Sequence, residues 1–368
     1  MSRVGIDLGT TNTVVAVDDH VLRIGEDGAN HLPSVVAFLP NGKIQYGATA
    51  RRRRSIDGAN TIFSSKRIIG RRFGHSLTRA FRERYPFDLV DAGDDQPAFQ
   101  TRAGLHTPAD IAASLLGYVH QKAEPLLEDA EVVITVPAAF KEPQREATCA
   151  AALRAGFEQV RLVDEPSATA WAYHTDPEVD GIVAVYDLGG GTFDVSILDC
   201  SGATPRLLAR TSEPYLGGDD IDRKIADWVA REVLKEHNWD LTNCSEVEVR
   251  LLTECERAKI RLSSCRETRL DLSEVDPECP AAAAGLLLRR EVMDRLTAEL
   301  VQRTFVSCDG VLGDAGVRAG DLSAVLLAGG STYLPVVRQG VEAYFGRVGC
   351  ADVDPLEVVA RGASLASS

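Results

Sequence analysis

At 368 residues the chain is too long for one compact core, so two domains or lobes are expected. Forty Lys and Arg against 54 Asp and Glu leave a net charge of −14, which argues against a general nucleic-acid binder and fits a soluble chain. No segment approaches the roughly 20 apolar residues that span a bilayer, and Met1-Ser2-Arg3 enters an apolar run without the features of a secretory signal.

In chain order, β-rich apolar runs at 4–17, 132–136, 182–186, 195–198 and 324–328 alternate with helically spaced stretches at 108–127, 143–155, 219–237 and 245–262. Pro143 suits the first turn of its helix. The mixture predicts an α/β fold. The eight cysteines (Cys149, Cys200, Cys244, Cys255, Cys265, Cys279, Cys308 and Cys350) form no C-x-x-C pair. Reduced thiols in a cytoplasmic protein fit that scatter; a zinc or disulfide role is the competing reading.

A repeat organises the chain. Asp7-Leu8-Gly9-Thr10-Thr11 returns 180 residues later as Asp187-Leu188-Gly189-Gly190-Gly191-Thr192. Each copy is flanked by β-branched residues, which predicts a strand–turn–strand hairpin. The spacing is far too long for a solenoid and fits two large halves with a site between them.

Glycine turns leave backbone N–H groups open to a phosphate, because no side chain stands in the way. Thr10, Thr11 and Thr192 add hydroxyl donors, and a third turn, Gly329-Gly330-Ser331, follows the run "AVLLA". Asp7 and Asp187 each precede a turn, and carboxylates beside phosphates repel unless a cation lies between. Mg²⁺ binds through few protein carboxylates, several waters and phosphate oxygens, so the pairing predicts a metal–nucleotide complex. Either hairpin alone also reads as an ordinary turn with glycine at positive φ. The chain has neither G-x-x-x-x-G-K-[ST] nor G-x-G-x-x-G, so P-loop and Rossmann readings have no support.

Six further stretches carry a resemblance: "NTIFSSKRIIGRRFG" (60–74), "VVITVPAAF" (132–140), "RLVDEPSATAWAYH" (161–174), "LGGDDIDRKI" (216–225), "CERAKIRLSS" (255–264) and "LLAGGSTYLP" (326–335). With the hairpins, they resemble the nucleotide-binding domain of the heat shock protein 70 (DnaK-type) chaperones, over essentially the whole chain. The resemblance implies an actin-like ATPase (ribonuclease H-like) fold, with two lobes of two subdomains each around a nucleotide cleft. Lobe I would take 1–175 plus 352–368, with a smaller subdomain over about 36–106; lobe II would take 176–351, with a smaller subdomain over about 216–297. No peptide-binding domain is expected in this segment, so a client would be held only through a domain absent from it.

The implied cofactors are ATP/ADP, Mg²⁺ and K⁺. Lys66 matches the family lysine that orients the attacking water and contacts the γ-phosphate. Asp7, Glu165 and Asp187 match carboxylates on the metal side, acting mainly through water, and Asp194 matches an aspartate near the potassium region. Gly9, Thr10, Thr11, Asn12, Gly189, Gly190, Gly191 and Thr192 match the phosphate turns. Gly217, Gly218, Asp219, Glu256, Lys259, Ser263, Gly329, Gly330, Ser331 and Tyr333 match the remaining nucleotide-contacting positions. Glu256, Lys259 and Ser263 also fall on one helical face by spacing, where a solvated charged face is the competing reading. Pro137 and Arg145 match a proline switch with its arginine relay, and Arg161 and Asp164 lie where the family receives a J-domain co-chaperone. A nucleotide-exchange factor is a further implied partner; nucleic acid and membrane are not.

Several positions depart from the family pattern. Tyr333 and Ile260 stand where arginines are common, Leu356 where an aspartate is common, and Asp164 where an asparagine is more frequent. The plain stretch "PAAAAG" (280–285) predicts a shortened or irregular sheet. Arg51 to Arg54 read as a solvated helix face or as a partner-docking patch. Two functions are therefore expected: slow Mg²⁺-dependent ATP hydrolysis in a chaperone cycle or, as the alternative, a nucleotide-sensing actin-like scaffold with little turnover.

Overall fold

The computed structural model describes residues 2–26, 28–127 and 130–366. Met1 and Ser368, the outer limits of the expected first lobe, lie outside them. The chain divides into two compact units: unit 1 comprises Met1–Val179, Cys200–Arg206 and Leu356–Ser368, and unit 2 comprises Asp180–Asp199 and Leu207–Pro355.

Unit 1 is built on a six-stranded mixed sheet. Its path runs Val160–Asp164, Glu131–Val136, Arg3–Leu8, Asn12–Val17, His20–Val21, with His31–Pro33 pairing to Asn12–Val17 off the path. Arg3–Leu8 runs parallel to Glu131–Val136 and antiparallel to Asn12–Val17, so Gly9, Thr10 and Thr11 form a tight turn at the sheet's end. The apolar, β-branched run that predicted strand pairing supplies the buried side chains Val4, Ile6, Val14, Val15, Val133 and Ile134.

The helix Val358–Leu365 packs on the first strand and on the helix Glu165–Ala172. Glycine sets both approaches. A Cβ on Gly5 would lie 2.3 Å from the Ala360 carbonyl oxygen, and one on Gly362 would lie 1.7 Å from that of Ala168. Two small three-stranded sheets complete unit 1: Ile44–Tyr46, Val35–Phe38 and Thr61–Phe63; and Gly104–His106, Pro97–Thr101 and Leu89–Asp91.

Unit 2 carries a four-stranded sheet in the order Arg206–Pro214, Thr192–Asp199, Ile182–Leu188, Ala324–Ala328. Its core joins the sheet residues Tyr186, Phe193 and Ile197 to apolar faces of the helices Gly218–His237, Ser245–Ser264, Arg290–Ala315 and Pro335–Phe345. Residues 280–285 form turns, leaving a two-stranded sheet of Glu267–Arg269 and Leu287–Arg289. No disulfide joins any of the eight cysteines. Among the described residues no helix is long and apolar enough to cross a membrane.

The four arginines read as one basic run do different things. Arg53 lies 3.6 Å from Asp57, and the Arg54 guanidinium sits 3.8 Å above the Phe63 ring. Arg52 alone of the four is exposed, the others being half-buried.

Candidate functional site

In unit 1 three expected residues meet around the end of the first strand. Lys66 lies in a short turn, Ser65–Ile68, entered through Ser64 in the left-handed region. Gly70, also left-handed, seats this segment on the first turn of Glu142–Arg154, since its Cβ would fall 2.5 Å from the Pro143 carbonyl oxygen. The Lys66 ammonium donates to Glu165 Oε1 at 2.7 Å, with the two side chains only 9% and 13% exposed. Asp7 accepts from the Thr135 hydroxyl at 3.2 Å. Burial pushes the Asp7 carboxyl up to about 6, against the pull of Lys66 and with the repulsion of Glu165.

The first hairpin turn faces its carbonyls into the protein. The Ser34 hydroxyl donates to Gly9 O at 2.8 Å, and the Ser34 N–H donates to Thr11 O at 2.9 Å. In a trans peptide the N–H points opposite to the carbonyl, so the N–H groups of Thr10 and Asn12 face away from Ser34. Asn12 Oδ1 is buried without a hydrogen-bond partner among the described residues, an acceptor left for a donor outside the protein.

Unit 2 repeats the device with more partners. Gly189 O accepts from Gly218 N–H at 3.0 Å and from the Ser331 hydroxyl at 2.9 Å. Gly190 O accepts from Asp219 N–H at 2.6 Å, and Gly191 O accepts from Tyr215 N–H at 3.1 Å. The N–H groups of Gly190, Gly191 and Thr192 consequently point away from those segments. Neither Gly9 nor Gly189 takes a left-handed φ, so the ordinary positive-φ turn is not why they are glycine. Close approach is the reason at Gly9, where a Cβ would lie 2.2 Å from Asn12 O.

Close approach also explains the other two turns. A Cβ on Gly217 would lie 2.7 Å from Gly191 N; one on Gly218 would lie 2.8 Å from Lys259 Nζ and 2.9 Å from Ser331 Oγ. Gly329, at φ +82°, brings its backbone against Leu188 O and Asp187 Oδ1. Gly330 opens the short turn Gly330–Tyr333. Tyr215 takes φ +65°, a costly conformation for an aromatic residue, at the entry to the Gly217 turn.

Asp187 and Asp194 are direct partners across the antiparallel hairpin, so both carboxylates stand on one face. Like charges opposite each other destabilise a sheet, and a cation would relieve them. Among the described residues no group of three His, Cys, Asp or Glu could hold a metal ion directly. A facing pair of carboxylates such as Asp187 and Asp194 suits Mg²⁺, which takes few carboxylates and keeps its water.

Lys259 and Glu256 share the helix Ser245–Ser264. Lys259 Nζ donates to Asp222 Oδ2 at 2.8 Å and to Gly218 O at 3.1 Å. Burial raises the Asp222 carboxyl to about 7 against the pull of Lys259, with Glu256 and Asp219 adding repulsion. Burial also works against the Lys259 ammonium, but Asp222 and Glu256 outweigh it and raise its pKa. Ser263 lies on the same helix, yet its hydroxyl donates to Ile260 O at 2.6 Å. The Tyr333 hydroxyl donates to Asp354, and Arg338 sits 5.8 Å from the ring centroid. Ile260 is 57% exposed.

The expected relay residues lie in unit 1. Pro137 O accepts from Phe140 N–H at 2.9 Å, directly after the strand Glu131–Val136. Arg145 bridges Asp164 and the Phe140 carbonyl. Arg161 donates to Glu131 at 2.7 Å and to Ala366 O at 2.9 Å.

Sequence reasoning passed over Asp222 and Thr135. Asp222 stood inside the quoted "LGGDDIDRKI", and Thr135 is the one hydroxyl in the otherwise apolar run "VVITV". A polar side chain inside a buried strand calls for a partner, and here the partner is Asp7.

The family model described as Hsp70 protein matches residues 3–368, and the chain belongs to the Hsp70 family. Its mixed α/β structure is accordingly the actin-like ATPase fold of a chaperone nucleotide-binding domain, in a family that binds ATP or ADP with Mg²⁺.

Proposed function

We propose that this chain binds ATP and ADP with Mg²⁺ and hydrolyses ATP slowly, as the nucleotide-binding module of a chaperone cycle. The observation that carries the reading is the pair of matched hairpin turns whose carbonyls are fixed to the rear, in a chain of the Hsp70 family. The turns of Gly9–Thr11 and Gly189–Thr192 would bind phosphate oxygens through backbone N–H groups and threonine hydroxyls. Lys66 would orient the attacking water and stabilise charge on the γ-phosphoryl group, so that positioning and electrostatics do most of the work. Mg²⁺, when bound, neutralises phosphate charge, and Asp7, Glu165 and Asp187 would hold its water shell. Asp194 would serve K⁺. Gly218, Glu256, Lys259, Ser263, Gly330 and Tyr333 would line the nucleoside.

Turnover would drive opening and closing of the two expected lobes, relayed through Pro137 and Arg145 and met by a J-domain co-chaperone at Arg161. A nucleotide-exchange factor would complete the cycle, and we place it in the cytoplasm. The test is single-turnover hydrolysis of labelled ATP by the chain and by Lys66→Ala, with Mg²⁺ and K⁺. Slow turnover that collapses in the variant supports the reading. Tight ATP binding without hydrolysis in either protein replaces it with a nucleotide-sensing scaffold.

A further inference from the structure

Charge is unevenly distributed along this acidic chain. Residues 36–106 carry thirteen Lys and Arg against six Asp and Glu, a net of +7 in a protein whose total is −14. Part of that charge is absorbed internally: Lys66 by Glu165, Arg102 and Arg53 by Asp57, and Arg54 by the Phe63 ring.

The helix Ser76–Arg84 and the segment before it are different. The helix buries Thr78 and Phe81 on one face. On the exposed side stand Arg79 and Arg82, with Arg72 just before the helix. Arg72, Arg79, Arg82 and the exposed Lys141 form no ion pair with any carboxylate among the described residues. The Arg72 carbonyl accepts from the Thr78 hydroxyl at 2.8 Å and from His75 N–H at 3.2 Å, which pins this segment to the first helical turn. The Arg82 guanidinium lies 4.8 Å from the Phe73 ring centroid. The His75 imidazole is held below its usual pKa, first by burial and then by the charges of Arg71, Lys141 and Arg79, so these cations are close neighbours. The nearby acids are Glu83, exposed on the same helix four residues after Arg79, and Asp95, whose Oδ1 accepts from Gly74 N–H at 2.7 Å. Arg79 and Arg82 are three residues apart on the helix, so their charges repel each other there.

We propose that Arg72, Arg79, Arg82 and Lys141 form a docking face for an acidic segment of a partner protein. Guanidinium forks pair with carboxylates two bonds at a time. The nine-residue helix is about 13 Å long, a span matched by about four extended residues. A long polynucleotide would run past the face onto a protein whose remaining charge is strongly negative, and Arg82 covers the Phe73 ring on which a base would stack.

The test uses a fluorescein-labelled octaglutamate peptide and anisotropy at low and moderate salt. Binding that weakens with salt and falls at least about tenfold in Arg79→Glu/Arg82→Glu, but not in Lys235→Glu in unit 2, supports the face. The double variant should keep the wild-type thermal transition, so a loss reports charge rather than unfolding. Equal affinity in wild type and double variant overturns the proposal. Tighter binding of single-stranded DNA than of the peptide also overturns it, as does a mass that doubles with concentration at low salt and reverts in the double variant, which would make the occupant a second copy.

Discussion

Asp7→Asn should make the protein more stable and less active. The native carboxyl ionises at about 6 against 3.8 in a free side chain, chiefly because burial disfavours its charge. Below the unfolded pKa both states are protonated and nothing is lost. As pH rises from there through the native value the unfolded state gives up its proton first, so stability falls across that window and stays reduced above it. At 1.36 kcal/mol per pKa unit the full cost is about 3 kcal/mol at pH 7.5 and roughly half that at pH 5. Asparagine keeps an oxygen to accept from Thr135 and carries no charge, so it removes the cost. Urea denaturation of both proteins at pH 7.5 and pH 5 reads the difference. A stabilisation that is absent, or the same at both pH values, would refute the reasoning. ATP hydrolysis should fall in the variant, since Asp7 would help to hold the metal's water shell.

Gly218→Ala should weaken ADP binding by at least about tenfold but cost no more than the lower end of the about 1–3 kcal/mol typical of overpacking, because the atoms its Cβ meets at under 3.0 Å, Lys259 Nζ and Ser331 Oγ, end side chains that can shift; calorimetric titration and melting check the two effects. Gly362→Ala should destabilise unit 1 at or beyond the upper end of that same range, since the atoms it meets are the backbone of Ala168 and Ala172, which cannot rotate away; a thermal midpoint equal to wild type would contradict this. Lys259→Met should destabilise, because it strands the buried Asp222 carboxyl, and adding Asp222→Asn should recover about 1 kcal/mol or more; a double variant no more stable than Lys259→Met would count against the pair.

The hairpins were readable because β-branched runs on both sides of a glycine turn leave the chain few other choices. The helices at 108–127, 219–237 and 245–262 were readable from apolar spacing and recur within two residues at each end as Pro108–Leu127, Gly218–His237 and Ser245–Ser264. The longest helix, Arg290–Ala315, was not singled out, because its polar residues interrupt the apolar spacing. Side-chain meetings were hidden for a different reason. Asp7 and Thr135 are 128 positions apart, and Asp222 and Lys259 are 37 apart, so no local pattern joins them. The arginines at 51–54 looked uniform as letters and separate only once Phe63 and Asp57 are brought beside them.

The seat of the helix Val358–Leu365 on the first strand also orders the protein's own birth in time. The first strand of unit 1, Arg3–Leu8, is made well before the helix Val358–Leu365 that packs on it, and the 176 residues of 180–355 between them belong almost wholly to unit 2. At translation rates of about 5–20 residues per second, the sheet of unit 1 waits on the order of ten to thirty-five seconds for the helix that covers Gly5. During that interval its apolar surface is exposed, whereas unit 2 has nearly all of its parts as soon as residue 355 emerges.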